Sequence, residues 1–316
     1  MANKISYARG DGFERIVMAN ETIRVVIVPE LGGKIISLVN LTSGRELLLQ
    51  HPDRPFRRAS YADQFNDYDI SGFDECLPTI AACSYPEPPL AGIDLPDHGE
   101  IWSLPWRSEV RGQDLVTEVS GVRLPYLLRR IAHLSGSILE LEYEITNTGD
   151  KQFKYLWSAH PLFAVERGTE IILPAQVTDV LIDSSVHNHL AVGSANLWPQ
   201  ASTISGHTCV LNMITGPEAN TADKVFTPRL SEGYCGLRFP HNNEAVFLRF
   251  DPQQVPFVGI WICQGGFQVD GPPEFAVALE PCSGRPDSLV GAIARGECPE
   301  LAARASHRWW LHLEVQ

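Results

Sequence analysis

The chain has 316 residues, 44% hydrophobic and 20% charged, with a formal net charge of −13 at pH 7. That balance belongs to a folded globular protein and excludes a long disordered polymer. Dispersed acidity without a basic cluster repels phosphate backbones and anionic bilayers, so neither nucleic acid nor membrane is an expected partner. In chain order, the pattern repeats every second residue rather than every 3.6. Strands are predicted at 23–28, 34–40 and 46–49, with Leu31-Gly32-Gly33-Lys34 read as a tight connection rather than a phosphate loop. The stretch from Gln50 to Glu100 is the longest with little regular pattern, and part of a binding cleft is expected there. Further strands are predicted at 115–119, 126–134 and 138–145, the last two joined as a hairpin by Ser135-Gly136-Ser137. In 138–145, Leu139, Leu141, Tyr143 and Ile145 point one way and Glu140, Glu142 and Glu144 the other, as in a half-buried strand. Strands at 153–157, 170–173, 209–214, 245–250, 257–263, 275–279 and 308–315 complete the set, and one short helix is predicted between Pro286 and Gly296.

Thirteen strands with so little helix predict a mostly-β protein, a large antiparallel sandwich or barrel, formed by one domain over residues 1–316. No GxGxxG or GKS/GKT motif occurs, so no nucleotide cofactor is expected. The N-terminal residues lack a basic-then-apolar leader, and no apolar run approaches the roughly 18 residues that cross a bilayer. The seven cysteines form no CxxC pair, which favours reduced thiols and a cytoplasmic setting.

Three places carry groups suited to chemistry. Asp97-His98-Gly99-Glu100 crowds titratable side chains beside a flexible glycine, with Trp102 close by. Aromatic faces and hydrogen-bonding side chains together suit a small polar ligand; a solvated turn with a core tryptophan is the plainer alternative. His160 follows an apolar strand and precedes Pro161, which holds it extended, as a fixed acid or base or as a buried histidine bonded to a carbonyl. Glu280 ends an apolar run and precedes Pro281, where burial would make it a base; otherwise it is an exposed strand-end acid. Two histidines and a glutamate could also bind zinc, but their wide spacing supports no metal motif, and His187-Asn188-His189 reads as a loop. A carboxylate pair for glycoside hydrolysis, such as Glu280 with Asp74, remains open at this level.

Across these places the sequence resembles the aldose 1-epimerase, or galactose mutarotase-like, superfamily. The matching pieces are residues 31–38 with 44–48, then 72–79, 97–102 and 157–161, then Gly259-Ile260-Trp261 with Gln264-Gly265-Gly266, and Glu280-Pro281 with Gly284 and Asp287-Ser288-Leu289. The final strand from Trp309 to Val315 also fits. The resemblance implies a β supersandwich with a sugar substrate in a cleft on one sheet, and an isomerase of carbohydrate metabolism needing neither cofactor nor metal. It implies Glu280 as base on the anomeric hydroxyl, His160 as acid on the ring oxygen and His98 as a group holding or polarising that oxygen or a neighbouring hydroxyl. Asp74, Glu75, Trp102, Asp223, Lys224, Trp261 and Gln264 are implied as substrate-binding residues. The asparagine–arginine pair of the galactose enzymes is missing, and Asp74-Glu75 occupies that stretch. Arg57, Arg58 and Lys224 are the cations that could hold a sugar phosphate. A sugar-binding protein without catalysis and a glycoside-processing enzyme are the competing expectations, and the oligomeric state is left open.

Overall fold

Alternating burial decides how the 126–147 hairpin packs. Tyr126–Ser135 and Ile138–Asn147 pair antiparallel, with Leu134 opposite Leu139. Leu139, Leu141, Tyr143 and Ile145 are buried, whereas the intervening glutamates are partly or fully exposed. This hairpin belongs to an eight-stranded sheet ordered Glu170–Ile172, Tyr234–Arg238, Ala245–Phe250, Ser306–Val315, Ile138–Asn147, Tyr126–Ser135, Asp114–Ser120 and Arg107–Arg111. An eleven-stranded sheet runs in the order Lys4–Gly10, Phe13–Ala19, Ile23–Val28, Lys34–Asn40, Phe73–Cys76, Ser158–Ala164, Phe275–Cys282, Phe257–Gln264, Thr221–Phe226, Asp179–Ser185 and Ala195–Leu197. These relations come from a computed structural model, which describes residues 3–242, 244–269 and 271–316. The apolar inner faces of both sheets feed one core that reaches from Ile16 to Val315 in sequence. The fold is thus a large antiparallel β sandwich, as the alternation and turn content predict.

The predicted strands at 23–28, 34–40 and 245–250 have those bounds in the structure. The short helix is Leu289–Arg295, stopped by Gly296 in the left-handed region at φ +66°. The connection at 31–34 is a tight turn with Gly32 at φ +69°, where a Cβ would stand 2.2 Å from the Trp102 carbonyl oxygen. Other expectations shrink. Residues 46–49 make only isolated bridges, 153–157 reduces to Phe153–Lys154, and 209–214 reduces to Thr208–Val210. Thr221–Phe226 and Asp179–Ser185 were not predicted as strands. The first is buried on both faces from Ala222 onward, so no alternation marks it, and the second carries a bulge between Ile182 and Ser184. His160 and Glu280, expected at strand ends, both lie inside strands that continue past them.

Candidate active site

Adjacent strands of the larger sheet present one row of functional side chains. Asp74 is the register partner of His160, and Lys224 is the partner of Trp261. Between them, Trp261 and Leu162 both pair with Ala278, so these side chains share a face. The pairing of Ser158 with Cys282 and of Leu162 with Ala278 brings His160 level with Glu280. That ladder skips residues 159–161, where Pro161 and, opposite, Pro281 have no N–H to donate. A His and a Glu therefore face each other across a locally open strand pair.

The face forms the floor of a cleft of about 220 Å³, which Phe65, Asn66, Ile70, Asp97, His98 and Phe267 also line. His98 stacks on Phe65 with centroids 4.1 Å apart and stands edge-on to His160 at 5.1 Å. Its Nδ1 lies 3.0 Å from Asp97 Oδ2, and Asp97 also accepts the Phe65 N–H at 3.2 Å. Phe65 and Asp97 thus fix the plane and edge of the His98 ring. His160 Nε2 is 3.9 Å from Glu280 Oε1, an oxygen that is buried without a hydrogen-bond partner. The other Glu280 oxygen accepts from Lys224 Nζ, and Lys224 Nζ lies 3.4 Å from Asp287 Oδ1. At the far side, Lys34 bonds Asp69 and lies 3.0 Å from Asp74 Oδ2.

Electrostatics separate these groups. Burial, with added repulsion from His98, Lys224 and Lys34, drives His160 well below the ordinary histidine value, so it is neutral at rest. Burial pushes Asp74 up to about 6, against the pull of Lys34. Burial also raises Asp287, against Lys224, and lifts Asp183 to about 7 with help from Asp287. Burial disfavours the Lys224 charge, but Asp287 and Glu280 outweigh it and hold the ammonium above its ordinary value. Burial would raise Asp97 as well, yet the contact with His98 holds it below the usual carboxylate range.

His98, His160, Glu280, Lys224 and Trp261 line the cleft together. Asp74 lies beside it, in a neighbouring depression shared with Lys34, Phe65, Ile70 and Trp102. The remaining four residues expected to bind substrate lie elsewhere. Glu75 points from the opposite face of its strand into the core, bonded to Arg130, Tyr143 and Trp157. Asp223 likewise faces away from Lys224, accepting from Ser185 Oγ at 2.6 Å and meeting His189 Nδ1 at 2.7 Å. Gln264 uses its carbonyl oxygen to hold Thr215. Trp102 backs the cleft, donating to the Asp97 carbonyl at 3.1 Å and packing edge-on to Phe65. Period two decides each of the first two cases, because one step along a strand reverses the face. Phe65, Phe267 and Asp287 line the cleft without any signal in the sequence that marks them as site residues, whereas Asp97 belongs to the titratable cluster at 97–100, and the irregular 50–100 stretch does supply the cleft wall. Among the described residues no group of three His, Cys, Asp or Glu side chains is arranged to hold a metal ion.

No protein-family model matches the chain, and no curated protein sequence matches it. Solved structures do. A galactose mutarotase related enzyme from Lactobacillus acidophilus superposes with TM-score 0.67 at 16% identity, over 96% of this chain and 97% of that one. A galactose mutarotase-like protein from Clostridium acetobutylicum gives TM-score 0.68 at 11% identity, over 99% and 98% of the two chains. The Slr1438 protein from Synechocystis gives 0.69 at 18% identity, over 100% and 96%. The chain therefore has the galactose mutarotase-like fold.

Proposed function

We propose that the protein is an aldose 1-epimerase acting as a single domain on an unphosphorylated sugar. The observation that carries the reading is the facing of Glu280 and His160 at 3.9 Å on the floor of an aromatic-walled cleft, with the near oxygen of Glu280 unpartnered. A cavity of about 220 Å³ falls below the roughly 300–1,000 Å³ of drug-sized sites and suits one sugar ring. The Trp261–Phe267 pair offers it an apolar wall.

Glu280 takes the anomeric proton, the C1 carbonyl forms, and the bond from C1 to the ring oxygen breaks as that oxygen gains a proton. Rotation about C1–C2 and closure on the other face reverse the transfers. Because His160 is neutral at rest, we assign the mobile proton to His98, seated on Asp97, and a hydrogen bond to the ring oxygen to His160. This exchanges the roles that family resemblance implies for the two imidazoles.

The charge arrangement favours a neutral sugar over a phosphate. Lys224 is already shared by two carboxylates. Arg57 donates to the Asp67 carbonyl and lies over Tyr68, and Arg58 pairs with Glu30. The test is anomer exchange of free aldoses followed by polarimetry or NMR. Glu280→Gln is expected to lower the rate about 10²–10⁴-fold, the usual worth of a general base. Wild-type protein that binds aldoses without accelerating exchange would leave the non-catalytic reading instead.

A further inference from the structure

Lys224 carries none of the proton transfers assigned above, yet it sits at their centre. The side chain is buried, and its ammonium bonds one oxygen of Glu280 and approaches Asp287 at 3.4 Å. To reach Glu280 it must cross the intervening strand, where the register partner of Glu280 is Gly259. A Cβ at Gly259 would lie 3.1 Å from Lys224 Cε and 3.0 Å from Phe226 Cε1, so the glycine keeps that lane open.

The titratable groups around Lys224 come from every neighbouring element. They are Glu280 and Cys282 on one strand, Asp287 after it, Asp183 beyond, and His160 and Cys76 on the other side. Beyond His160 stand His98 with Asp97, and Asp74 with Lys34. With the ammonium present, the Glu280 charge is compensated and a proton on His160 would be repelled. Without it, a buried carboxylate would stand 3.9 Å from an imidazole. A protein interior relieves that state by taking up a proton.

We propose that Lys224 is a positioning residue that holds the cleft in one protonation state, a carboxylate at Glu280 facing a neutral imidazole at His160. The proposal rests on the catalytic reading of that pair, but its test needs no turnover. In sugar-free protein, NMR of ring-15N histidine and carboxyl-13C glutamate would follow His160 and Glu280 across about pH 5 to 8, the range in which histidine switches. His160 is expected to stay neutral in the wild type. In Lys224→Gln, one proton is expected to settle on His160 or Glu280, with its midpoint raised by about 1–3 pH units, the usual effect of one charge at contact. Lys224→Arg keeps the cation and is expected to titrate as the wild type. A Lys224→Gln variant that titrates as the wild type would overturn the proposal. So would a wild-type His160 already charged at about its ordinary value of 6.5, a result that needs no variant to fold. The expected titrations in a protein that anomerises no aldose would sink the epimerase reading and leave this one standing.

Discussion

Substituting Glu75 separates the core from the cleft. Glu75 is 1% exposed, and its Oε1 accepts from Arg130 Nη1 at 2.6 Å and Tyr143 at 3.1 Å, while Oε2 accepts from the Trp157 indole at 3.0 Å. Arg130 is as deeply buried, and its other link is to the Gly33 carbonyl. Glu75→Ala leaves that guanidinium without its counter-charge, and breaking a buried pair in this way costs about 3–5 kcal/mol. Glu75→Gln keeps the shape but turns an amide N–H₂ toward one of three donors, costing about 1–3 kcal/mol for the group left unsatisfied. Adding Arg130→Met to Glu75→Ala removes the stranded charge and should recover much of the loss, a coupling that a double-mutant cycle measures. Urea unfolding followed by tryptophan fluorescence reports all three, since Trp157 and Trp309 pack in this cluster. The anomer exchange rate per folded molecule should stay within a few-fold of wild type. Glu75→Ala costing under about 1 kcal/mol, where a broken buried pair should cost several, would refute the reasoning. A well-folded Glu75→Gln that loses activity as Glu280→Gln does would refute it too.

Further outcomes follow from the structure. Gly32→Ala is expected to cost about 2–4 kcal/mol, from left-handed strain plus the clash with the Trp102 carbonyl. Gly44→Ala, at φ +79° with nothing within 4 Å, should cost only the strain, about 1–2 kcal/mol; equal losses in urea would contradict this. His160 has a folded-state value below its unfolded one, so below about pH 6.5 the unfolded chain binds a proton that the fold refuses. Its contribution is therefore complete above that pH and falls with acidification by up to about 1.4 kcal/mol per pH unit. His160→Gln should flatten that slope in paired unfolding curves at acidic and neutral pH. Asp74, raised to about 6, acts with the opposite sign, its contribution fading as pH rises from about 4 toward 6. Gly259→Ala should push Lys224 aside and reproduce the His160 or Glu280 titration of Lys224→Gln, whereas an unchanged titration would show that the lane has room for a methyl group.

Much of the fold was legible where one face of a strand is wet, as in Tyr126–Ser135, Ile138–Asn147 and Ser306–Val315, or where a buried strand is a continuous apolar run between turn residues, as in Phe257–Gln264. Alternation marks 138–145 without ambiguity, and Gly296 marks the end of the short helix by its freedom to adopt positive φ. Thr221–Phe226 escaped both patterns, because burial on both sides erases the alternation and Asp223 and Lys224 interrupt the apolar run. The same blindness affected the site. His98, His160 and Glu280 stand out locally, being titratable groups beside glycine or proline, whereas Asp287 and Phe65 look like ordinary loop residues until the chain closes around them.

By itself the sequence determined a β-rich chain with a large apolar core, an irregular segment contributing to a cleft, and the residue types able to move protons. Only the tertiary structure decided which neighbour of each adjacent pair turns to the cleft side of its strand, Asp74, the register partner of His160, rather than Glu75, and Lys224 rather than Asp223. A strand presents both faces equally, and the choice between them is made by the second sheet, which buries one face and leaves the other open.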